Sequence, residues 1–167
     1  KMHGITMGDG NFDFENPASL RRAREMNRIV VDAGSGPLLQ RICLLGVDNG
    51  NGEAIEVSPG YGQISRAFQA FKDAGHDTNV IRVPATSDHR HDLAAMKAAI
   101  TPKTTLIIIT NPNNPTGTLI PYEELARFVD AVPSNITVLI DEAYIHFVRE
   151  PVCISWRKEV AWLVWRM

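Results

Sequence analysis

Two short polar clusters hold the residue types best suited to chemistry: Asn111-Pro112-Asn113-Asn114-Pro115-Thr116-Gly117 and Asp141-Glu142-Ala143-Tyr144. Each follows an apolar, β-branched run, Thr104 to Ile109 and Ile136 to Ile140, and between them residues 123–132 carry apolar side chains at helical spacing. That order is a βαβ unit, and open α/β sheets bind ligands at the carboxyl ends of their parallel strands. A carboxylate placed directly after a buried strand, as Asp141 is, costs free energy unless it is paired or hydrogen-bonded. The two X-Pro steps and Gly117 bar helix and strand, so the Asn and Thr side chains between them are held in fixed directions. A rigid turn of self-capping asparagines is the alternative to a binding loop.

Other candidates would share this rim. A strand over Ala54 to Val57 runs into Ser58-Pro59-Gly60-Tyr61-Gly62. If the strands are parallel, Tyr61 lies on the same edge as Asn114 and Asp141, either as a packing residue or as a ring stacked on a flat ligand. Ile29-Val30-Val31 leads into Gly34-Ser35-Gly36 and then an apolar run from Leu38 to Val47. Such a turn presents backbone N–H groups beside a positive helix end and suits a phosphate, though a plain turn reads the same way. Asp88-His89-Arg90-His91-Asp92 invites a metal reading. Adjacent residues do not converge on one ion without help from elsewhere, so a solvated loop leading into a helix is the preferred reading, with Asp92 at its N-terminus.

The positioning elements follow from periodicity and punctuation. Helices are expected over Gly62 to Ala74 with Gly75 as the stop, over Leu93 to Ile100, and from Pro121 through Val132 with Glu123 and Glu124 in the first turn. Strands are expected over Asn79 to Val83, with Pro84 ending it, and over Val160 to Met167; Asp48 to Gly52 reads as a polar flexible loop. The fold class is α/β, three-layer α/β/α with a mainly parallel sheet. The domain division is an N-terminal arm and short helix over 1–28 and a partial ligand-binding large domain over 29–167.

Composition narrows the partners. The chain has 167 residues and a net charge of −2, which gives no reason to expect nucleic acid or an acidic membrane. No run reaches the ~18 apolar residues of a membrane span. No apolar h-region with a cleavage site opens the chain, so no signal peptide is expected, and Cys43 and Cys153 read as buried free thiols of a cytoplasmic protein.

Asn111 to Gly117 followed by Asp141 to Tyr144 resembles the aspartate-aminotransferase superfamily, the fold-type I enzymes that use pyridoxal 5′-phosphate. The double asparagine and the Asp-Glu-Ala-Tyr tetrad look most like the histidinol-phosphate aminotransferase branch of classes I and II. The resemblance implies roles. Asp141 matches the aspartate paired with the pyridine nitrogen, Asn114 and Tyr144 match the residues beside the ring's 3′-oxygen, and Tyr61 matches the aromatic stacked on the ring. Gly34, Ser35 and Gly36 match the phosphate-cradling loop. The implied activity is transamination between an amino acid and a 2-oxo acid by a homodimer, with no metal.

Departures from the family pattern carry expectations of their own. Leu163 to Met167 resembles the strand that precedes the family's Schiff-base lysine, and no lysine of that kind follows within the 167 residues. Lys158 and Lys103 precede strands and are not substitutes. The phosphate-binding arginine and the C-terminal small domain are likewise missing, and Pro37 stands where the family often has an acidic residue. The expectation is therefore part of a longer chain, inactive by itself. The alternatives are an inactive cofactor-binding or structural fragment, and another pyridoxal-phosphate chemistry such as decarboxylation. A generic dinucleotide-binding domain is disfavoured because no Gly-x-Gly-x-x-Gly follows the first strand.

Overall fold

The structure, a computed structural model, describes residues 51–148 and 162–165. The expected arm, the Ile29 to Val47 segment, Gly34 to Gly36 and both cysteines lie outside the described residues.

Among the described residues five parallel strands form one sheet: β1 (Asn51–Ser58), β2 (Asp77–Pro84), β3 (Thr104–Thr110), β4 (Thr137–Asp141) and β5 (Trp162–Trp165), in the order β2-β1-β3-β4-β5. Helices α1 (Gln63–Asp73), α2 (Leu93–Ala98) and α3 (Tyr122–Asp130) make the crossovers, and a 3₁₀ turn at Ile145–Phe147 follows β4. The mainly parallel α/β class expected from the sequence is the fold found.

Parallel strands need cover on both faces, and β3 shows why this sequence provides it. Its alternate residues Ile107 and Ile109 join Ile55, Val138 and Ile140 in a core layer closed by Leu93 and Met96 of α2 and by Leu125, Phe128 and Val129 of α3. The intervening residues Leu106, Ile108 and Leu139 are buried as well, at the opposite pleat. Right-handed crossovers put α1, which joins β1 to β2, on that second face, where Phe68 is fully buried. Gly75 stops α1 with φ +92°, a conformation L side chains avoid, as its N–H bonds back to Lys72.

Element limits moved where polar residues masked a strand or a proline marked an end. β1 begins at Asn51, inside the expected loop, because Glu53 is buried among donors: Thr101 and Thr104 hydroxyls reach one carboxylate oxygen at 2.7 and 3.1 Å, and Asn79 the other at 3.3 Å. Pro84 is the last residue of β2 rather than its stop; β2 is the edge strand among the described residues, where a proline without an N–H is tolerated. Pro121 is the N-cap of α3, not its first helical residue. The last expected strand is described over Trp162–Trp165.

The strand order creates the place for a site. The chain leaves β1 to one side for β2, then returns past β1 to β3 on the other. The helices after β1 and β3 therefore lie on opposite sides, and such a switch point is where open α/β sheets bind ligands.

Candidate functional site

The β1 loop is a tight turn closed on its own strand. A Cβ on Gly60 would lie 2.6 Å from the Val57 carbonyl oxygen, so only glycine fits there without a shift of backbone. Ser58 O accepts from the backbone N–H of Ala85 at 2.9 Å, which ties this turn to the loop after β2. Tyr61 emerges from it half-buried.

The β3 loop is built by its asparagines, each with a different task. Asn111 is fully buried. Its backbone N–H donates to Asp141 O at 2.8 Å, while its side-chain amide clasps Ile120, donating to the carbonyl at 3.1 Å and accepting the N–H at 2.8 Å. Asn113 is also buried, and its amide donates to Pro59 O at 3.2 Å and to Thr116 Oγ1 at 2.8 Å. Gly117, at φ +68°, lets its N–H turn back to Asn113 O. Asn114 alone points its amide outward, where Nδ2 lies 3.5 Å from the Tyr144 hydroxyl.

Asp141 ends β4 opposite Thr110 of β3 and is 2 % exposed. One oxygen accepts from the Ala143 N–H at 3.0 Å. Among the described residues no cation lies beside it. Burial pushes its carboxyl up to about 6, opposed by the Ala143 hydrogen bond and assisted by the adjacent Glu142 charge. A carboxylate so placed, short of a positive partner, suits a ligand that brings an N–H⁺.

A depression of about 350 Å³ opens beside these groups, lined by Pro112, Asn113, Asn114, Pro115, Gly117, Tyr144, Phe147 and Val148. Asp141 and Tyr61 are not in its lining. The structure thus brings Asn114 and Tyr144 into one concavity, with Asp141 buried three residues behind Tyr144 and Tyr61 on the neighbouring turn.

The family model described as aminotransferase class I and II matches residues 13–164. The chain belongs to the class I and II aminotransferases. An aromatic amino acid aminotransferase from Rhodococcus jostii (strain RHA1) is 56% identical over 86 residues, 50% of this chain and 24% of that protein. Histidinol-phosphate aminotransferase 2 of Ralstonia nicotianae is 42% identical over 111 residues, 60% of this chain and 29% of that protein. Among solved structures, the histidinol-phosphate aminotransferase of Sinorhizobium meliloti in complex with pyridoxal-5′-phosphate superposes with a TM-score of 0.59 at 25% identity, over 81% of this chain and 37% of that one. The chain spans about a fifth to a third of the length of the curated relatives it matches.

Within this aminotransferase fold the other sequence candidates fall into place. The Asp88 to Asp92 segment does not converge on an ion, and no group of three metal-ligating side chains occurs among the described residues. Arg90 Nε pairs with Asp88 at 2.7 Å and its Nη1 lies 3.7 Å from Glu124, Asp92 caps α2 through Ala95 N–H at 2.9 Å, and His91 is buried. Burial pulls the His91 imidazole down to about 4, so it is neutral. Lys72 and Lys97 close the last turns of α1 and α2, and Lys103 precedes β3. Helices antiparallel to the strands put all three at the amino edge of the sheet, opposite Asn114 and Tyr144. Lys103 instead pairs with Asp77 at 2.7 Å.

Sequence reasoning missed the work of Asn111 and Asn113. The available signal was the short apolar pair Leu119-Ile120 just before Pro121, which needs its backbone groups satisfied once buried. No helix or strand at that point can satisfy them.

Proposed function

We propose that this chain forms the cofactor-binding rim of a pyridoxal-phosphate-dependent aminotransferase that moves an amino group between an amino acid and a 2-oxo acid. The observation that carries the reading is the placement of Asn114, Tyr144 and Asp141 at the carboxyl ends of adjacent strands. The donor set fits the cofactor. The Asn114 amide and the Tyr144 hydroxyl, 3.5 Å apart and open to the depression, are two donors for one ring oxygen. The buried Asp141 carboxylate has no cation beside it among the described residues and suits a protonated ring nitrogen.

When bound, the cofactor supplies a pyridinium ring that withdraws electrons from the substrate's α-carbon. Asp141 would keep the proton on the ring nitrogen through a charge-assisted hydrogen bond, stronger in its dry setting than in water. Asn114 and Tyr144 would fix the ring's rotation and disperse charge on its oxygen. Tyr61 would offer a flat face, and the Gly34-Ser35-Gly36 turn the phosphate contacts. Residues 29–167 act in this reading as part of the large domain, with 1–28 as an arm, in a homodimeric cytoplasmic enzyme. Similarity to both aromatic amino acid and histidinol-phosphate aminotransferases supports an amino donor with a ring-bearing side chain.

A second reading is favoured by the lysines. Those among the described residues lie at the far edge of the sheet, so residues 1–167 by themselves would hold the cofactor without turning it over. Titration with pyridoxamine 5′-phosphate, whose amine cannot condense with surface lysines, tests binding by calorimetry. Saturable one-to-one binding is expected, and none at millimolar ligand contradicts the proposal. Steady formation of 2-oxo acid by the 167-residue chain alone would contradict the second reading.

A further inference from the structure

Asn113 sits at the centre of a directional hydrogen-bond chain that crosses three loops. Its Nδ2 donates to Pro59 O in the β1 loop at 3.2 Å and to Thr116 Oγ1 at 2.8 Å. Thr116 and Thr118 hydroxyls are 2.7 Å apart, and Thr118 Oγ1 donates to His89 O, in the loop after β2, at 2.8 Å. His89 is the described non-glycine residue with a positive φ, 62°, so its carbonyl is turned at some local cost. The amide cannot be reversed, because Pro59 O accepts only. That orientation leaves Asn113 Oδ1 buried with no hydrogen-bond partner.

An apolar residue of similar size would avoid that orphaned acceptor. What the asparagine achieves instead is a fixed span between the turn that carries Tyr61, two residues beyond Pro59, and the backbone that carries Asn114, its immediate neighbour. We infer that Asn113 is a positioning residue: it sets the Tyr61 turn against Asn114 across the switch point between β1 and β3, and so fixes the distance between the two groups that would hold a flat ring. The inference rests on the proposed cofactor reading for its purpose, but its geometric content stands apart from it.

Two measurements on the 167-residue chain test it. The chain has three tyrosines, so a tyrosine-selective ¹³C spectrum has one ring signal each for Tyr61, Tyr122 and Tyr144. In Asn113→Ala without ligand, the Tyr61 signal moves, while that of Tyr122, packed against the core on α3, stays in place. An unmoved Tyr61, or three signals moving together, overturns the inference. In the second measurement, Asn113→Ala weakens pyridoxamine 5′-phosphate about tenfold, the scale of one or two lost hydrogen bonds. In a Tyr61→Ala background the same change weakens it less than about twofold, because the residue it acts through is gone. Equal losses in both backgrounds overturn it. If Asn113→Ala does not fold, Asn113→Ser, too short to reach Pro59, is put through the same two measurements. Should the unaltered chain bind no pyridoxamine 5′-phosphate, the functional proposal fails, and the ligand-free spectrum still decides the positioning role.

Discussion

Asp141→Asn should make the ligand-free protein more stable and the cofactor complex weaker, with a pH signature. The carboxyl is 2 % exposed and its proton affinity is raised from 3.8 to about 6. At about 1.4 kcal/mol for each tenfold in proton affinity, that displacement is worth about 3 kcal/mol. A folded-state value above the unfolded one means the native state binds the extra proton. Stability from this group is therefore intact below about pH 4 and is lost as pH rises through about 6. Asparagine keeps the shape and the acceptor for Ala143 N–H but carries no charge, so it escapes that loss. Its own amide N–H groups then need partners, at a cost of about 1 kcal/mol. The net expectation is a gain of about 1–3 kcal/mol at pH 7.5, shrinking to zero or a small loss at pH 4. With a urea slope of about 1–3 kcal/mol/M, the midpoint moves by roughly 1 M. Paired urea titrations at half-unit pH steps measure the difference, which cancels every other titrating group. A stability difference independent of pH, or one largest at pH 4, would refute the buried-charge reasoning.

Four further outcomes follow from the same geometry. Asn111→Ala should cost about 2–4 kcal/mol in chemical denaturation, since it leaves the buried Ile120 N–H and C=O unpaired together. Gly60→Ala must push backbone away from Val57 O, so a melting-point drop with displaced amide signals in residues 57–61 is expected, and an unchanged amide spectrum would contradict the 2.6 Å contact. His91 is held near 4, below its ordinary 6.5, so it contributes stability present above about pH 6.5 and lost as pH falls through 4; His91→Leu should flatten the acid limb of the stability profile between those values. Tyr144→Phe should weaken pyridoxamine 5′-phosphate by about 1 kcal/mol and leave the urea midpoint unchanged, because the hydroxyl is at the open side of the depression.

Much of this architecture is visible in the sequence, for identifiable reasons. Strand β3 declares itself because Leu106 to Ile109 are buried on both faces and need no alternation. α3 is equally plain, since Leu125, Phe128 and Val129 mark one face. Polar strand residues are harder. Glu53 hides the start of β1 because its partners, Thr101, Thr104 and Asn79, lie far along the chain. The meeting of Asn114 with Tyr144 is implied by the family resemblance rather than by spacing, and the 3.5 Å approach depends on the register of β3 against β4. Asn113 shows the deeper limit. Nothing local distinguishes it from its neighbour Asn114, yet one turns inward to Pro59 and the other outward to Tyr144, a choice made by the pairing of β1 beside β3.

That rim is where the functional proposal stands or falls. The most direct measurement is a calorimetric titration of pyridoxamine 5′-phosphate into the unaltered chain, Asn114→Ala and Asp141→Asn at pH 7.5. Saturable one-to-one binding is expected for the unaltered chain, weaker by about tenfold in Asn114→Ala and by about tenfold to a hundredfold in Asp141→Asn, where a charge-assisted bond is lost. Affinity equal in all three proteins, or no binding to the unaltered chain, would contradict a cofactor held between Asn114, Tyr144 and Asp141.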